Sequence, residues 1–150
     1  MTTTPSPIPD WVRFYQPGVP AEIELPTESL TDMCERSCRE AGDKVATEFF
    51  GGTMTYRQLG ERIEHAAEGL RKLGVVAGDR VAILLPNCPQ HLVAFYAILR
   101  LGAVVCEHNP LSTERELDEV FVDHGAKVAI AMDRVVPKLR AVSTQPTVVA

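Results

Sequence analysis

The sequence predicts an α/β fold in which a mainly parallel sheet is flanked by helices. From residue 30 onward, segments with helical periodicity alternate with short apolar segments. The apolar segments at residues 80–85, 103–106, 127–132 and 147–150 are continuous runs rather than alternating ones. Continuous runs are typical of parallel strands that are covered on both faces. Glycines follow the helical segments and mark where each helix ends.

Residues 1–28 have a different composition from the rest of the chain. They are rich in proline and polar residues and contain scattered aromatics, which predicts an extended N-terminal arm. The α/β unit is therefore expected to cover residues 29–150. Its first helix carries one continuous stripe at helical spacing and ends at Gly42. The members of the stripe are Leu30, Met33, Cys34, Ser37, Cys38 and Ala41.

A hairpin and a long helix follow. The segment VATEFF (45–50) predicts a strand, Gly51-Gly52 a two-residue turn, and Thr53-Met54 the returning strand. The pattern Thr55-x-x-Gln58 is a capping box, which predicts the start of the second helix. Gly74 ends that helix. Its predicted inner face consists of Leu59, Ile63, Ala66, Ala67, Leu70 and Leu73.

The remaining elements alternate strand and helix. Helices are predicted at residues 90–101, at residues 113–124 with the capping box Thr113-x-x-Glu116 and the stop Gly125, and near Pro137. The last predicted strand, residues 147–150, has no following helix to cover it. We therefore expect the chain to be the front part of a longer protein and the α/β unit to be incomplete.

Composition excludes several classes of function. The 15 basic residues are scattered among 20 acidic ones and the net charge is −5, which gives no basic face for nucleic acid. No run of about 18 apolar residues exists to span a bilayer, and the N-terminus lacks the pattern of a secretory signal. Four cysteines without an export signal are expected to be reduced thiols in a cytoplasmic protein.

Two cysteine–histidine pairs raise the question of a zinc site. Cys88-x-x-His91 and Cys106-x-His108 supply four side chains of the type that zinc binds. The helix between them and the strand that runs back allow the two pairs to approach each other. However, Cys106 ends an apolar strand, where a thiol packs as a small hydrophobe, and Cys88 precedes Pro89 at a helix entrance. We therefore interpret these residues as packing residues and assign no metal ligand.

The loop after the strand at 103–106 is the candidate site. Glu107, His108 and Asn109 follow the carboxyl end of a parallel strand, where open α/β sheets place their ligands. Glu107 and His108 are suited to a proton-handling pair. The alternative is that both bond to neighbouring backbone and that Asn109-Pro110 forms a turn.

The other histidines and cysteines are assigned no chemistry. His65 and His124 are expected on polar, solvated helix faces. Cys34 and Cys38, one helical turn apart, are interpreted as core residues, because this spacing on a helix suits a disulfide poorly.

Four stretches of the sequence resemble the long-chain fatty-acid–CoA ligases, which belong to the adenylate-forming acyl-CoA synthetases. They are TYRQL (55–59), GVVAGDRVAILLPNCPQ (74–90), FYAILRLGAVVCEHNPL (95–111), and REL followed by DHGAKVAI (115–130). The chain resembles the first part of the large N-terminal, AMP-binding domain of that family. It departs from the family at Ser112, where many long-chain ligases have tyrosine.

The resemblance implies an enzyme that activates a fatty acid with ATP and Mg²⁺ to an acyl-adenylate and then forms acyl-CoA. It implies fatty acid and CoA as partners, and it allows a homodimer and peripheral association with a membrane. The family's phosphate loop, a Ser/Thr/Gly-rich run closing in Pro-Lys-Gly, has no counterpart here. GGTMT (51–55) is interpreted as a turn and a helix cap. No catalytic or cofactor-binding residue is therefore assigned, and this chain alone is expected to be inactive and to bind no cofactor.

Overall fold

The computed structural model describes residues 9–150, so the first eight residues of the predicted arm lie outside the described part of the chain. The helices are α1 (Leu30–Ala41), α2 (Tyr56–Lys72), α3 (Pro89–Arg100), α4 (Glu114–His124) and α5 (Val136–Ala141). The strands are β1 (Val45–Phe49), β2 (Gly52–Thr55), β3 (Arg80–Leu84), β4 (Val104–Glu107), β5 (Val128–Ala131) and β6 (Thr147–Val149). Short 3-10 helices cover Asp10–Phe14 and Asp133–Val135.

The main sheet confirms the predicted α/β class. Its four strands are parallel and lie in the order β4-β3-β5-β6, while β1 and β2 form a separate antiparallel hairpin. The connection through α3 places β4 on one side of β3, and the connection through α4 places β5 on the other side. The strand order therefore reverses between β3 and β5.

The two faces of the sheet have separate apolar cores. Val81 and Ile83 of β3 belong to the core formed with α2 and α3. Ala82 and Leu84 of the same strand belong to the core formed with α4 and α5. Successive strand residues point to opposite faces, so a continuous apolar run is what a strand between two helical layers requires.

The helix starts are confirmed and one was missed. The side chains of Thr55 and Thr113 form capping boxes as predicted. A third capping box, Ser29 with Asp32, begins α1; its pattern, Ser followed three residues later by an acid, is present in the sequence. Gly125 ends α4 in the left-handed conformation, with φ of 62°, where glycine has no steric penalty.

The predicted hairpin turn is wrong by one residue. Gly52 pairs with Phe49 as the first residue of β2, so the two turn residues are Phe50 and Gly51. Both have positive φ, 48° and 78°, as the common two-residue hairpin turn requires. Phe50 takes the position that usually holds asparagine or glycine. The prediction therefore placed the turn one residue too late, at the two glycines.

Helix faces are narrower than the sequence patterns suggest. Leu59, Ile63, Ala67 and Leu70 of α2 are buried as predicted, but Leu73 is 48% exposed. Leu73 follows the last helical residue, and the chain turns away there at Gly74, whose φ is 88°. In the stripe of α1 only Cys34 is buried, because α1 packs at the margin of the first core.

Candidate functional site

A cavity of about 510 Å³ with several polar side chains in its lining lies at the carboxyl edge of the sheet. It is formed by the loops that follow β3, β4 and β5. Its lining includes all three residues of the predicted site, Glu107, His108 and Asn109. The other lining residues are Leu85, Pro86, Asn87, His91, Pro110, Leu111 and Arg134. The strand order reverses between β3 and β5, and open α/β sheets bind ligands outside their carboxyl ends at such a position.

Glu107 is the last residue of β4 and pairs with Ile83, so the prediction that it follows the strand is wrong by one residue. Its side chain contacts the first turn of α3. The Nε2 atom of His91 lies 2.9 Å from Oε1 of Glu107. A carboxylate only accepts hydrogen bonds, so His91 donates from Nε2. Its other nitrogen, Nδ1, is buried and has no hydrogen-bond partner within residues 9–150. Asn87, His91 and Glu107 also line a second, more apolar cavity of about 500 Å³ beside the hairpin, so the His91–Glu107 pair lies between two cavities.

His108 contacts the end of α4. Its Nε2 atom lies 2.9 Å from Nε2 of His124, and the backbone N–H of Ala126 donates to Nδ1 of His124 at 2.9 Å. Because a neutral imidazole carries one proton, His124 holds its proton on Nε2 and donates it to His108. His108 must then carry its own proton on Nδ1. The hydrogen bond from Ala126 therefore determines the tautomer of both rings.

The expectation that His124 is solvated is wrong. The residue is half-buried, and its ring centroid lies 4.8 Å from that of Phe121 and 4.9 Å from that of His108. The turn at Gly125 brings the N–H of Ala126 back to the ring. The helical pattern of α4 alone contains no information about His108, which is 16 residues away in the sequence. His65 is exposed, as predicted.

The backbone interpretation of the loop is correct for only one of its residues. Oδ1 of Asn109 accepts a hydrogen bond from the N–H of Leu111, which makes the predicted turn. The side chains of Glu107 and His108 instead bond to other side chains, those of His91 and His124. The proposed Glu107–His108 pair is thus not a pair, because each residue has a different partner.

The four candidate zinc ligands are divided among different contacts. His91 bonds to Glu107 and His108 bonds to His124, while Cys88 caps α3 and makes no side-chain cap bond. Burial raises the pKa of the Cys106 thiol, which disfavours the thiolate that zinc binds. In the part of the chain that the structure describes, no three His, Cys, Asp or Glu side chains are grouped to hold a metal ion.

The cysteines of α1 lie on the first core. Cys34 is buried and Cys38 is half-buried. Burial, with the neighbouring Cys38, raises the pKa of Cys34 to about 12. A thiol with this pKa stays protonated at neutral pH, so it is a poor nucleophile.

The histidine pair predicts a dependence of stability on pH. Burial lowers the pKa of His108, and burial together with His108 lowers the pKa of His124, from an ordinary 6.5. Asp123 opposes the shift at His124 and Arg80 adds to it. The unfolded chain binds these protons more readily than the folded chain. The contribution of the two neutral histidines to the free energy of unfolding is therefore fully present above about pH 6.5 and is lost as the pH falls below it.

Urea unfolding at about pH 7.5 and pH 5.5 measures this effect. We expect the free energy of unfolding to decrease at the lower pH in the native chain. The decrease should be smaller in a variant with His108→Gln and His124→Gln, which keep amide groups but do not titrate. The carboxylates with lowered pKa values, such as Glu116, lose their contribution only below about pH 4.5. Equal pH dependence in both proteins would contradict the assignment.

Comparison with known proteins agrees with the fold and the motifs. A model of the AMP-binding enzyme family matches residues 34–150. The chain is 35% identical over 128 residues to a long-chain-fatty-acid–CoA ligase of Bacillus subtilis, covering 85% of this chain and 23% of the relative. It is 41% identical over 122 residues to a long-chain-fatty-acid–CoA ligase of Escherichia coli O6:H1, covering 80% of this chain and 22% of the relative.

A solved structure shows the same architecture. VinN, in complex with L-aspartate, superposes with a TM-score of 0.75 and 28% identity, over 79% of this chain and 34% of that one. The chain spans about a quarter or less of the length of the curated relatives it matches. From the family match over residues 34–150, and from the parallel sheet that carries the shared motifs, we conclude that the chain belongs to the family of AMP-binding enzymes.

Proposed function

We propose that this chain is the N-terminal portion of an ATP-dependent long-chain fatty-acid–CoA ligase. Such an acid–thiol ligase converts a fatty acid, ATP and CoA to acyl-CoA, AMP and pyrophosphate through an acyl-adenylate. The observation that carries the proposal is the 41% identity to the Escherichia coli ligase over 122 residues. In this proposal, residues 1–28 form an arm and residues 29–150 form an incomplete subdomain of the AMP-binding domain.

The chain contributes scaffold rather than nucleotide-binding residues to this activity. ATP, Mg²⁺ and CoA are implied by the family for the whole enzyme. Gly51 lies in the β1–β2 turn, Gly52 begins β2, and Thr55 caps α2, so the GGTMT run is not free to hold a phosphate. Because these residues do not fit a nucleotide, we assign no step involving ATP to them and propose that this chain alone is inactive.

The remaining assignments concern location and partners. We propose that Glu107, His108 and Asn109 lie near ligand in the whole enzyme, on the basis of the cavity that they line. We further propose a cytoplasmic protein that acts on a fatty acid and CoA, with a homodimer and peripheral membrane contact as compatible states. Within residues 9–150, no helix has the length and apolar character required to cross a bilayer.

The scaffold role predicts that this chain does not catalyse adenylate formation. The 150-residue chain, incubated with ATP, Mg²⁺ and palmitate, is expected to release no pyrophosphate above the background without enzyme. The physical reason is that the described residues offer no phosphate-binding loop. Measurable palmitate-dependent release of pyrophosphate would contradict the scaffold role, even if the family assignment stands.

An alternative function is a stand-alone, non-catalytic binding module. The observation that favours it is the edge strand β6, which pairs with β5 only. Beside β6 lies an apolar groove of about 520 Å³, lined by residues that include Leu70, Val93 and Val149. Unpaired strand edges recruit partner strands. Sedimentation discriminates the two functions: a module stays monodisperse as its concentration rises, whereas a scaffold fragment self-associates at high concentration.

A further inference from the structure

We propose that the cavity at the carboxyl edge of the sheet binds an oxyanion, a carboxylate or a phosphate group. In this proposal Arg134 supplies the charge, the Nδ1–H of His108 supplies a directed donor, and His124 is the positioning residue that keeps the proton on Nδ1. The inference rests on the proposed ligand-proximal loop and names its chemistry. The anion site is tested by a binding measurement, so its failure can be distinguished from the failure of the proposed ligase activity.

His108 has one ring nitrogen that is not engaged by another described residue. Its Nε2 accepts a hydrogen bond from His124, which itself accepts one from the N–H of Ala126. The remaining ring nitrogen, Nδ1, therefore carries a proton and has no hydrogen-bond partner within residues 9–150. His108 lines the cavity, so in this proposal it meets a ligand as a donor and not as a base, which selects an acceptor oxygen.

Arg134 supplies a positive charge to the cavity. Arg134 lines the same cavity, and within the described residues it forms no ion pair with a carboxylate. Its Nε lies 3.0 Å from Sδ of Met132, a weak acceptor, so the terminal nitrogens of the guanidinium remain available. A guanidinium presents parallel N–H donors that match the two oxygens of a carboxylate or phosphate.

Two asparagines and a glutamate supply other polar groups to the cavity. Asn87 also lines it, and its side chain makes no hydrogen bond to the described residues. The amide nitrogen of Asn109 is available, since only Oδ1 is used in the turn. Glu107 is the one carboxylate in the lining, and its Oε1 accepts the hydrogen bond of His91. Among the described residues, the unengaged acceptors of the lining are Oε2 of Glu107, Oδ1 of Asn87 and Nδ1 of His91. The unengaged donors are the guanidinium of Arg134, Nδ1–H of His108 and the two asparagine amide nitrogens. The donor set includes the one arginine of the lining, and for that reason we favour an oxyanion as the ligand.

A metal ion fits the cavity less well than an oxyanion. A histidine that binds a metal uses one ring nitrogen as ligand and donates the proton of the other. Nδ1 of His124 accepts a hydrogen bond instead, so its Nε2 must be protonated and cannot ligate. The backbone of Ala126 thus disfavours metal binding at the point where the two rings meet.

Imidazole ¹⁵N NMR at about pH 7.5 tests the positioning step. We expect the native chain to show His124 protonated at Nε2 and His108 protonated at Nδ1. The variant His124→Gln places an amide donor near the position of Nε2, so the tautomer of His108 should be kept. The variant His124→Phe removes the donor, and His108 should shift toward the Nε2-protonated form that is preferred in solution. His65→Phe, the same change at an exposed histidine, is the control and should leave His108 unchanged.

Titration with inorganic phosphate and with acetate tests the binding step and distinguishes the two oxyanions. We expect saturable shifts of the amide resonances of residues 107–111 for at least one of them, with chloride at equal ionic strength as the blank. The chain's net charge of −5 opposes diffuse anion accumulation, so saturation indicates a local site. Arg134→Gln should weaken binding about tenfold or more, as expected for loss of a charged hydrogen bond.

Four matched variants complete the test. Arg140→Gln removes an exposed arginine that does not line the cavity and should bind as the native chain does, and Arg134→Lys should bind at an intermediate level. His124→Phe should weaken binding while His124→Gln keeps it. Absence of saturable shifts with both anions would overturn the proposal. Equal binding by Arg134→Gln and Arg140→Gln, or by His124→Phe and His124→Gln, would also overturn it.

Discussion

Replacing Phe121 with alanine is expected to lower the free energy of unfolding by about 4 kcal/mol. Phe121 is fully buried at the centre of the core between the sheet and the α4–α5 layer. Truncation removes the transfer energy of the ring and leaves a cavity among well-packed neighbours. A loss of this size is a large part of the about 5–15 kcal/mol that stabilises a typical domain.

The ring of Phe121 has a second role at the candidate site. Its centroid lies 5.6 Å from that of His108 and 4.8 Å from that of His124. The ring of Phe121 therefore packs against both histidine rings at the point where they contact each other. We expect Phe121→Ala to weaken the histidine contact as well as the core, whereas Phe121→Leu, which retains most of the volume, should lose about 1–2 kcal/mol.

Urea unfolding of the chain measures this prediction, with Val122→Ala as the matched control. Val122 is the next residue of α4 and is 60% exposed, so its truncation should change stability by no more than about 0.5 kcal/mol. If Phe121→Ala and Val122→Ala have similar effects, the assignment of Phe121 to the centre of the core is incorrect.

The elements of the fold could be predicted because their signals are local. Capping boxes at Thr55 and Thr113 and a stop at Gly125 lie within a few residues of the helix ends they determine. Continuous apolar runs identify parallel strands for the same reason. The turn at Phe50 was misplaced because its backbone conformation is imposed by the pairing of Phe49 with Gly52, and the residue type gives no sign of it.

The candidate site could be predicted in position but not in its contacts. Its loop follows from the rule that ligands bind at the carboxyl ends of parallel strands, which singled out Glu107, His108 and Asn109. Arg134 was missed because it reaches the cavity only through the order β4-β3-β5, which brings the loop after β5 beside the loop after β3. His124 was missed because its partner lies on another element.

The proposed function accounts for a candidate site to which no chemistry is assigned. The described residues build the sheet, its two cores and the cavity at its carboxyl edge. The family assignment covers residues 34–150, while the relatives are about four times longer than the matched part. In the proposed function, this part of the enzyme is scaffold, and other parts of the longer protein supply the nucleotide-binding and catalytic residues.

The substrate preference of the longer protein proposed to contain this chain is the most direct test of the account. That protein is to be incubated with ATP, Mg²⁺, CoA and either palmitate or L-aspartate, the ligand of the structurally similar VinN. Mass spectrometry then measures the CoA thioester formed in each case, and omission of ATP is the control. We expect ATP-dependent formation of palmitoyl-CoA and no thioester from L-aspartate. If L-aspartate but not palmitate forms a thioester, or if neither acid does, the proposed function is contradicted.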